Sequence, residues 1–573
     1  RIAGRFFTPL PADIEATEGG TQVGVVAGDP NRSPVYLDAR AVHKHKLLVG
    51  KTQKGKSTLM GHLALAHIRQ GDGIVFLDPH GDAVRNLLPL IPPERIEDVL
   101  YIDFSARERL VGWNPLATTQ SAPRAMLVES FLQAGEAVWD DYWGPRMESA
   151  LRFALLALTE ANEKLAAEER RDGIPASRSR QFTVHDIDGI LTLRNFRVNL
   201  LERYVDRVET LRWFYNYFEK LTAQKREDVI NPVLTKIHRL TGADVVYRVL
   251  GQSRSTFSFD EIVGGQKIVL VNLDAGSIGT KNTALLGTLF LTYLEMAIRR
   301  QTAQANRQQR ATMAVIVDEF QRIPFDYASL LAELQKMGAS FTIGTQSLAQ
   351  LDAADPDLRG ALLGNVDTLF VFQVSALDAA QLVSELSGDR PHSLRQDKNI
   401  LQTRDLIDLE QYHCYLRTVR EGSVVPPLRI ETLPLPAGNP DVLRAIRQRA
   451  ARYTETIAEI ERMIDARQRY WYKEDYTRYQ DGVNKRNEVL ETVEKSREAA
   501  AGSPPPAAPE TGIAGSNELG AGEAVVIDYD VACAVAEQQA LPFVEDTPQE
   551  TDGVKPRRRR SRSRKRKKEE QET

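Results

Sequence analysis

The sequence predicts an α/β chain: a mostly parallel sheet, an all-α insertion that splits it, a C-terminal helical stretch and a disordered basic tail. Three observations carry that reading. Short apolar runs alternate with helix-period stretches from about Gln22 to Leu116, as βα units do. One early run ends in a glycine-rich turn that opens a helix. Strand signals then nearly vanish from about Ala117 to Thr241 and return after Lys267, so one sheet is interrupted and resumed.

In chain order, Lys46 to Val49 reads as a strand, Ser57 to Ile68 as a helix and Gly73 to Leu77 as the next strand. The stretch from Ala117 is helical and charged, with a polar gap near Arg170 to Arg180. Strands resume at Lys267 to Asn272, Met313 to Val317, Ser340 to Ile343 and Thr368 to Phe372, alternating with helices such as Thr283 to Arg300 and Tyr327 to Lys336. Beyond the proline-rich Leu433 to Pro440, Leu443, Ile446, Ala450, Tyr453, Ile457, Ile460 and Ile464 recur at spacings of three and four. That is a heptad seam, which serves equally a helix folded back on its own domain or an oligomer contact. Prolines, glycines and acids after Ala499 predict disorder,, around an apolar island at Val525 to Val544 that reads as a docking peptide or as a patch without a class. The expected divisions are 1–116 and 246–437 for the two halves of the core, 117–245 for the all-α insertion, 438–500 for a long helix or coiled coil, and 501–573 for the linker and basic tail.

Of the 573 residues 42% are hydrophobic, enough for a large core, and the length predicts two to four domains,. The formal net charge is −4, yet Lys555 to Lys568 holds eleven Lys and Arg and no acid, so the remainder carries −15. Such a block is a solvated tail suited to an anionic polymer. Two distant cysteines, Cys414 and Cys533, exclude a disulfide framework and a cysteine-based zinc site and fit a reducing cytosol,. No apolar run reaches the roughly 20 residues of a membrane span; the nearest, Ala284 to Ile298, contains Glu295 and reads as a buried helix. The chain begins with Arg1 and not Met, which leaves room for upstream sequence and an anchor within it.

Gly50-Lys51-Thr52-Gln53-Lys54-Gly55-Lys56-Ser57 fits G-x-x-x-x-G-K-[ST], after an apolar strand and ahead of a helix that continues with Thr58. Its glycines let backbone N–H groups close around phosphate oxygens, and the helix N-terminus adds partial positive charge. Lys56 is expected to neutralise the β and γ phosphates of ATP and Ser57 to ligate Mg²⁺. Ala314-Val315-Ile316-Val317-Asp318-Glu319 is an apolar strand ending in two acids, at the end of the strand where open α/β sheets bind ligands. Asp318 is the expected Mg²⁺ carboxylate and Glu319 the base that deprotonates the attacking water. Gln346, in Thr345-Gln346, ends the next strand and can sense the γ-phosphate. The bland reading, a strand ending in solvated acids and a surface glutamine, loses weight once the P-loop stands beside it.

His45-Lys46-Leu47-Leu48-Val49-Gly50 and Phe76-Leu77-Asp78-Pro79-His80-Gly81-Asp82 resemble the FtsK/HerA group of DNA-pumping ATPases. Gly112-Trp113-Asn114-Pro115-Leu116, Asn272-Leu273-Asp274-Ala275-Gly276, Val317-Asp318-Glu319-Phe320, Thr345-Gln346-Ser347, and Gly364-Asn365-Val366-Asp367-Thr368 with Asp378-Ala379 are similar, more narrowly, to the type IV secretion conjugative coupling (TraG/TraD) family. The likeness spans about Val23 to Leu435. It implies a RecA-like P-loop ATPase core, a homo-hexameric ring around DNA, and ATP with Mg²⁺ between subunits. It also implies secretion-channel or relaxosome partners and a cytoplasmic place at the inner face of the membrane. Lys44 would help hold the nucleotide. The family's Arg-Lys-x-Gly reads Gln335-Lys336-Met337-Gly338 here, so its arginine is missing and Arg146, in Trp143-Gly144-Pro145-Arg146, becomes the replacement candidate for the arginine that reaches a neighbour's γ-phosphate. The group's usual second loop glycine is replaced by Gln53.

Two further constellations have competing readings. Asp78-x-His80-x-Asp82 could hold a metal, but a strand-end turn is the better expectation. Tyr470, Trp471, Tyr472, Tyr476 and Tyr479 among basic residues could stack bases, against the commoner alternative of packing a helix on the core. The expected function is an ATP-dependent DNA translocase of the coupling type; a HerA-like helicase in repair or defence, and a nucleotide-binding scaffold that recruits substrate proteins, are the alternatives.

Overall fold

A computed structural model describes residues 20–117, 124–139, 143–304, 311–354, 358–387, 401–420 and 423–473. The basic tail, the apolar island, Cys533, Tyr476 and Tyr479 lie outside the described residues. By their contacts the described residues all fall within one unit, Arg1–Leu490.

The apolar runs pair into one 11-stranded sheet. Seven neighbouring strands are parallel, in the spatial order Thr368–Val371, Lys46–Val49, Ala339–Thr345, Met313–Val317, Gly73–Asp78, Ile268–Asn272 and Val99–Asp103. Four antiparallel strands extend the first edge: His413–Arg417, Leu428–Thr432, Thr21–Val26 and Pro34–Leu37. Strands 73–78, 268–272 and 313–317 are buried at every position, as a sheet with both faces covered requires. Alternate residues feed separate cores: Leu48 and Phe76 pack with Leu59 and Leu63 on one side, and Leu47, Val75 and Leu77 face the other.

Between Leu110 and Ile268 the described residues contain helices and no strand. The longest, Pro145–Arg171, packs against Arg124–Trp139 and Ala223–Thr241. Trp113, 1% exposed, joins this region to the sheet by packing among Phe257, Phe259, Phe290 and Tyr293.

The heptad stretch is two helices and not one continuous coil. Pro440–Ala450 ends, Glu455–Thr456 pairs with Arg109–Leu110, and Ile457–Trp471 follows. Backbone pairing of 455–456 outcompetes helix continuation at this point. The seam faces its own unit: Ile446, Ile460 and Ile464 are buried, and the Tyr101 N–H donates to the Tyr453 hydroxyl at 2.9 Å. Trp471 and Tyr472 pack likewise. Trp471 lies on Phe182, Tyr472 on Phe196, and the Tyr472 hydroxyl donates to Asp186 at 2.5 Å. These two rings spend a face on the core; Tyr470 stays 43% exposed, with Arg180 over its ring at 3.8 Å.

Candidate functional site

The strand 46–49 ends at Gly50, whose N–H donates to Thr345 O at 3.2 Å, while the Lys51 N–H donates to Gln373 O at 2.8 Å. A side chain at Gly50 would bring its Cβ within 2.5 Å of Phe372 Cβ, so the close approach of the neighbouring strand requires glycine. Gly55, at φ +112°, leads into the helix Lys56–Gln70 without a side-chain cap, and no acid sits in the first turn. The first-turn amides thus have no acceptor inside the helix and carry its positive end into the cleft. Gln53 holds φ +59°, the left-handed geometry glycine adopts freely; a residue with a Cβ pays about 1 kcal/mol or more to hold it.

Lys56 is buried, and its ammonium donates to the carbonyls of Gly50 at 2.5 Å and Lys51 at 3.0 Å. Burial pushes it below the usual lysine range, against the pull of Asp318 and Glu319. The Ser57 hydroxyl donates to Asp318 Oδ2 at 2.8 Å. Burial raises the Asp318 carboxyl, partly offset by that bond, and the nearby Asp78 charge adds to the rise. A hydroxyl and a carboxylate facing each other, beside two more acids, are a hard-oxygen donor set that suits Mg²⁺.

Glu319 stands at φ +45° where its strand ends. Its carboxylate accepts from the Gln346 amide, pairs with Arg322, and meets His80 Nε2 at 3.0 Å. Burial pushes its carboxyl up, but Arg322, Gln346 and His80 together outweigh burial and hold it below the ordinary glutamate range. Asp78 is used by backbone: its oxygens accept from His80 N at 2.9 Å, Ala83 N at 2.8 Å and Val84 N at 3.2 Å. The Asp78–Asp82 segment is therefore a strand-end turn. Gly81 makes it possible, at φ +80° with the position of a Cβ only 2.0 Å from Asn272 Oδ1.

These groups line a cleft of about 470 Å³ that holds Thr52, Gln53, Gly55, Lys56, Ser57, Thr58, Asp78, His80, Asp318 and Glu319. Gln346 reaches it through Glu319, and on the loop Lys51 is exposed and Lys54 half-buried. Two expected residues lie elsewhere. Lys44 pairs with Asp367 at 3.8 Å, and Arg146 is exposed in the first turn of Pro145–Arg171, neither among the lining residues. Sequence reading missed His80 and Arg322 as partners of Glu319; the offset of three from Glu319 to Arg322 was the available signal. It also missed Gln411 and Tyr412, which brace the loop by donating to Gln53 O at 2.9 Å and Lys54 O at 3.0 Å. Nothing local in the sequence marks them.

Residues 195–404 match a family model described as the type IV secretion-system coupling protein DNA-binding domain. No curated protein matches the chain. Among solved structures, the plasmid coupling protein TrwB in complex with a non-hydrolysable GTP analogue is 16% identical, with a TM-score of 0.51, covering 75% of this chain and 92% of that one. TrwB in complex with ADP and Mg²⁺ gives the same identity and TM-score over 75% and 91%. An unbound conjugative coupling protein, TrwBdeltaN70, follows at 16% and 0.50 over 76% and 95%. The core thus has the RecA-like P-loop fold, and residues 195–404 match the family that the motifs resemble.

Proposed function

We propose that this chain is the ATPase of a type IV secretion coupling system, hydrolysing ATP to drive DNA through a homo-hexameric ring. The observation that carries the reading is the 2.8 Å contact between Ser57 and Asp318. It brings the P-loop and the acid pair, 261 residues apart, into one cleft with Lys56 and Glu319. Neither element has a structural need for the other's polar end, and together they form the charge pattern that a metal–triphosphate complements.

In this mechanism the amides of 51–58 and Lys56 grip the phosphates, with Lys56 exchanging the carbonyls of Gly50 and Lys51 for phosphate oxygens. Ser57 and Asp318 would hold Mg²⁺, whose positive charge would offset the charge that develops on the phosphates. Glu319 takes the proton of the attacking water. To do so its carboxylate must exchange a donor among Gln346, His80 and Arg322, which ties catalysis to the position of those side chains. Gln346, just past the end of the strand beside the P-loop strand, couples phosphate loss to the sheet. Lys44 and Arg146 fit this scheme as groups outside the cleft, Arg146 as one offered to a neighbouring subunit. The DNA-binding description of the matching family model supports DNA as the substrate polymer, with secretion-channel or relaxosome proteins as partners. Placement at the cytoplasmic face of the membrane through a partner or an upstream segment completes the reading.

The test is ATP turnover of the purified chain with single- and double-stranded DNA. Glu319→Gln should retain ATP binding and lose about 10²–10⁴-fold in rate, whereas Lys56→Ala should lose binding. Turnover of Glu319→Gln within about threefold of the parent would remove Glu319 from its role.

A further inference from the structure

Away from the cleft, His67 sits in the last turn of the P-loop helix, about 16 Å along its axis from Lys56,. Asp72 immediately precedes the strand 73–78, and His43 caps a short helix ahead of the strand 46–49. The three side chains converge. His67 Nδ1 lies 2.8 Å and His43 Nδ1 3.6 Å from Asp72 Oδ2, and all three donor atoms fall within 4.8 Å of one another. It is the one such cluster of metal-ligating side chains among the described residues.

The geometry points to a second cation site, in which His43 Nδ1, His67 Nδ1 and Asp72 Oδ2 hold a late first-row divalent ion of the zinc class, with the remaining positions taken by water. Two imidazoles and one carboxylate are a donor set for such ions, whereas Mg²⁺ and Ca²⁺ prefer all-oxygen shells. Tetrahedral ligands about 2.1 Å from zinc stand roughly 3.4 Å apart. The His43–Asp72 spacing is already close to that, and the His67–Asp72 pair has to open by about half an ångström as the ion replaces the proton they share. The carboxylate is oriented from behind, since the Thr312 hydroxyl donates to Asp72 Oδ1, the kind of support that ligating carboxylates carry. The nearby cation, Lys46, spends its amine on the carbonyls of Val42 and Lys44 and not on Asp72, which leaves the carboxylate to the two imidazoles. His43 is 38% exposed and gives solvent a way in. A simple hydrogen bond from His67 to Asp72 accounts for that pair alone, not for a second imidazole turned to the same oxygen. Bound there, the ion would tie the end of the P-loop helix to the entries of two sheet strands.

The experiment titrates zinc calorimetrically into the chelator-stripped full chain, with millimolar Mg²⁺ present to occupy the oxygen ligands of the nucleotide cleft. The expected result is one zinc equivalent, weakened at least tenfold by His43→Ala and by Asp72→Asn, together with a zinc-dependent rise in melting temperature that both variants lose. His43→Ala tests the site without opening the core, and its zinc-free melting temperature reports its folding. No zinc binding by the parent chain, or equal binding by parent and a folded His43→Ala, overturns the site. ATP turnover plays no part in the readout, so the outcome is independent of the proposed motor function.

Discussion

Acid should unfold this protein through histidines that are buried neutral, and His185 is the clearest of them. Its ring stacks on Tyr247 at 4.3 Å, and both ring nitrogens are out of solvent. Burial first, and the Arg467 guanidinium second, push it down to about 3, against a weaker pull from Asp186. His45 is buried too: its Nδ1 accepts from the Phe341 N–H at 3.0 Å, its Nε2 donates to Leu331 O at 2.9 Å, and burial pushes it down to about 4. Both folded values lie below the ordinary 6.5, so the unfolded chain binds more protons. Stability is complete above 6.5 and declines as pH falls toward 4 for His45 and 3 for His185. Each group costs about 1.4 kcal/mol per pH unit in that window, or about 2 kcal/mol at pH 5. His185→Phe keeps the stacking and removes the ionisable nitrogens. Urea unfolding at pH 7.5 and pH 5, followed by tryptophan fluorescence, should show the variant losing about 2 kcal/mol less than the parent over that interval. It should also be about as stable as the parent at pH 7.5, because two polar atoms shut away from solvent are replaced by carbon while the stacking is kept. An identical pH-dependent loss in both proteins would refute the assignment of His185 as a buried neutral base.

Two further outcomes are expected. Gln53→Gly removes a left-handed side chain from the P-loop, so the ATP affinity measured by fluorescent-analogue titration should hold or rise, by up to about fivefold if the roughly 1 kcal/mol of strain is borne in the bound state; a tenfold loss would show that the Gln53 side chain itself contacts nucleotide. Truncation before Lys555 should flatten the salt dependence of duplex-DNA binding by about four to five log units per log unit of salt, if about half of the tail's charges engage. ATP turnover at saturating DNA should stay unchanged, and equal salt slopes would make the tail an address or docking signal instead.

The catalytic core was legible because its signals are local. A strand buried on both faces must be apolar throughout, a phosphate loop must place glycines where backbones approach, and acids at a strand end have no apolar explanation. Lys56, Ser57, Asp318 and Glu319 could therefore be chosen from short windows, and the convergence of Ser57 on Asp318 follows from parallel strands delivering their carboxyl ends to one edge. The heptad seam shows the limit: its periodicity marks an apolar face but not what that face meets, and the pairing of Glu455–Thr456 with Arg109–Leu110 broke the helix for a reason some 345 residues away. The clamp on Glu319 has the same character, since His80, Arg322 and Gln346 come from three separate segments, and Gln411 and Tyr412 brace the loop from across the sheet. By itself the sequence determined the elements, the nucleotide motifs and the family likeness, all of which depend on side chains a few residues apart. Only the tertiary structure decided which side chains surround Glu319, that Trp471 and Tyr472 pack on Phe182 and Phe196, and that His43, His67 and Asp72 meet on one oxygen. Those facts depend on which strand ends and helix ends the sheet order brings together, and that order is fixed by long-range burial, which no short window of residues records.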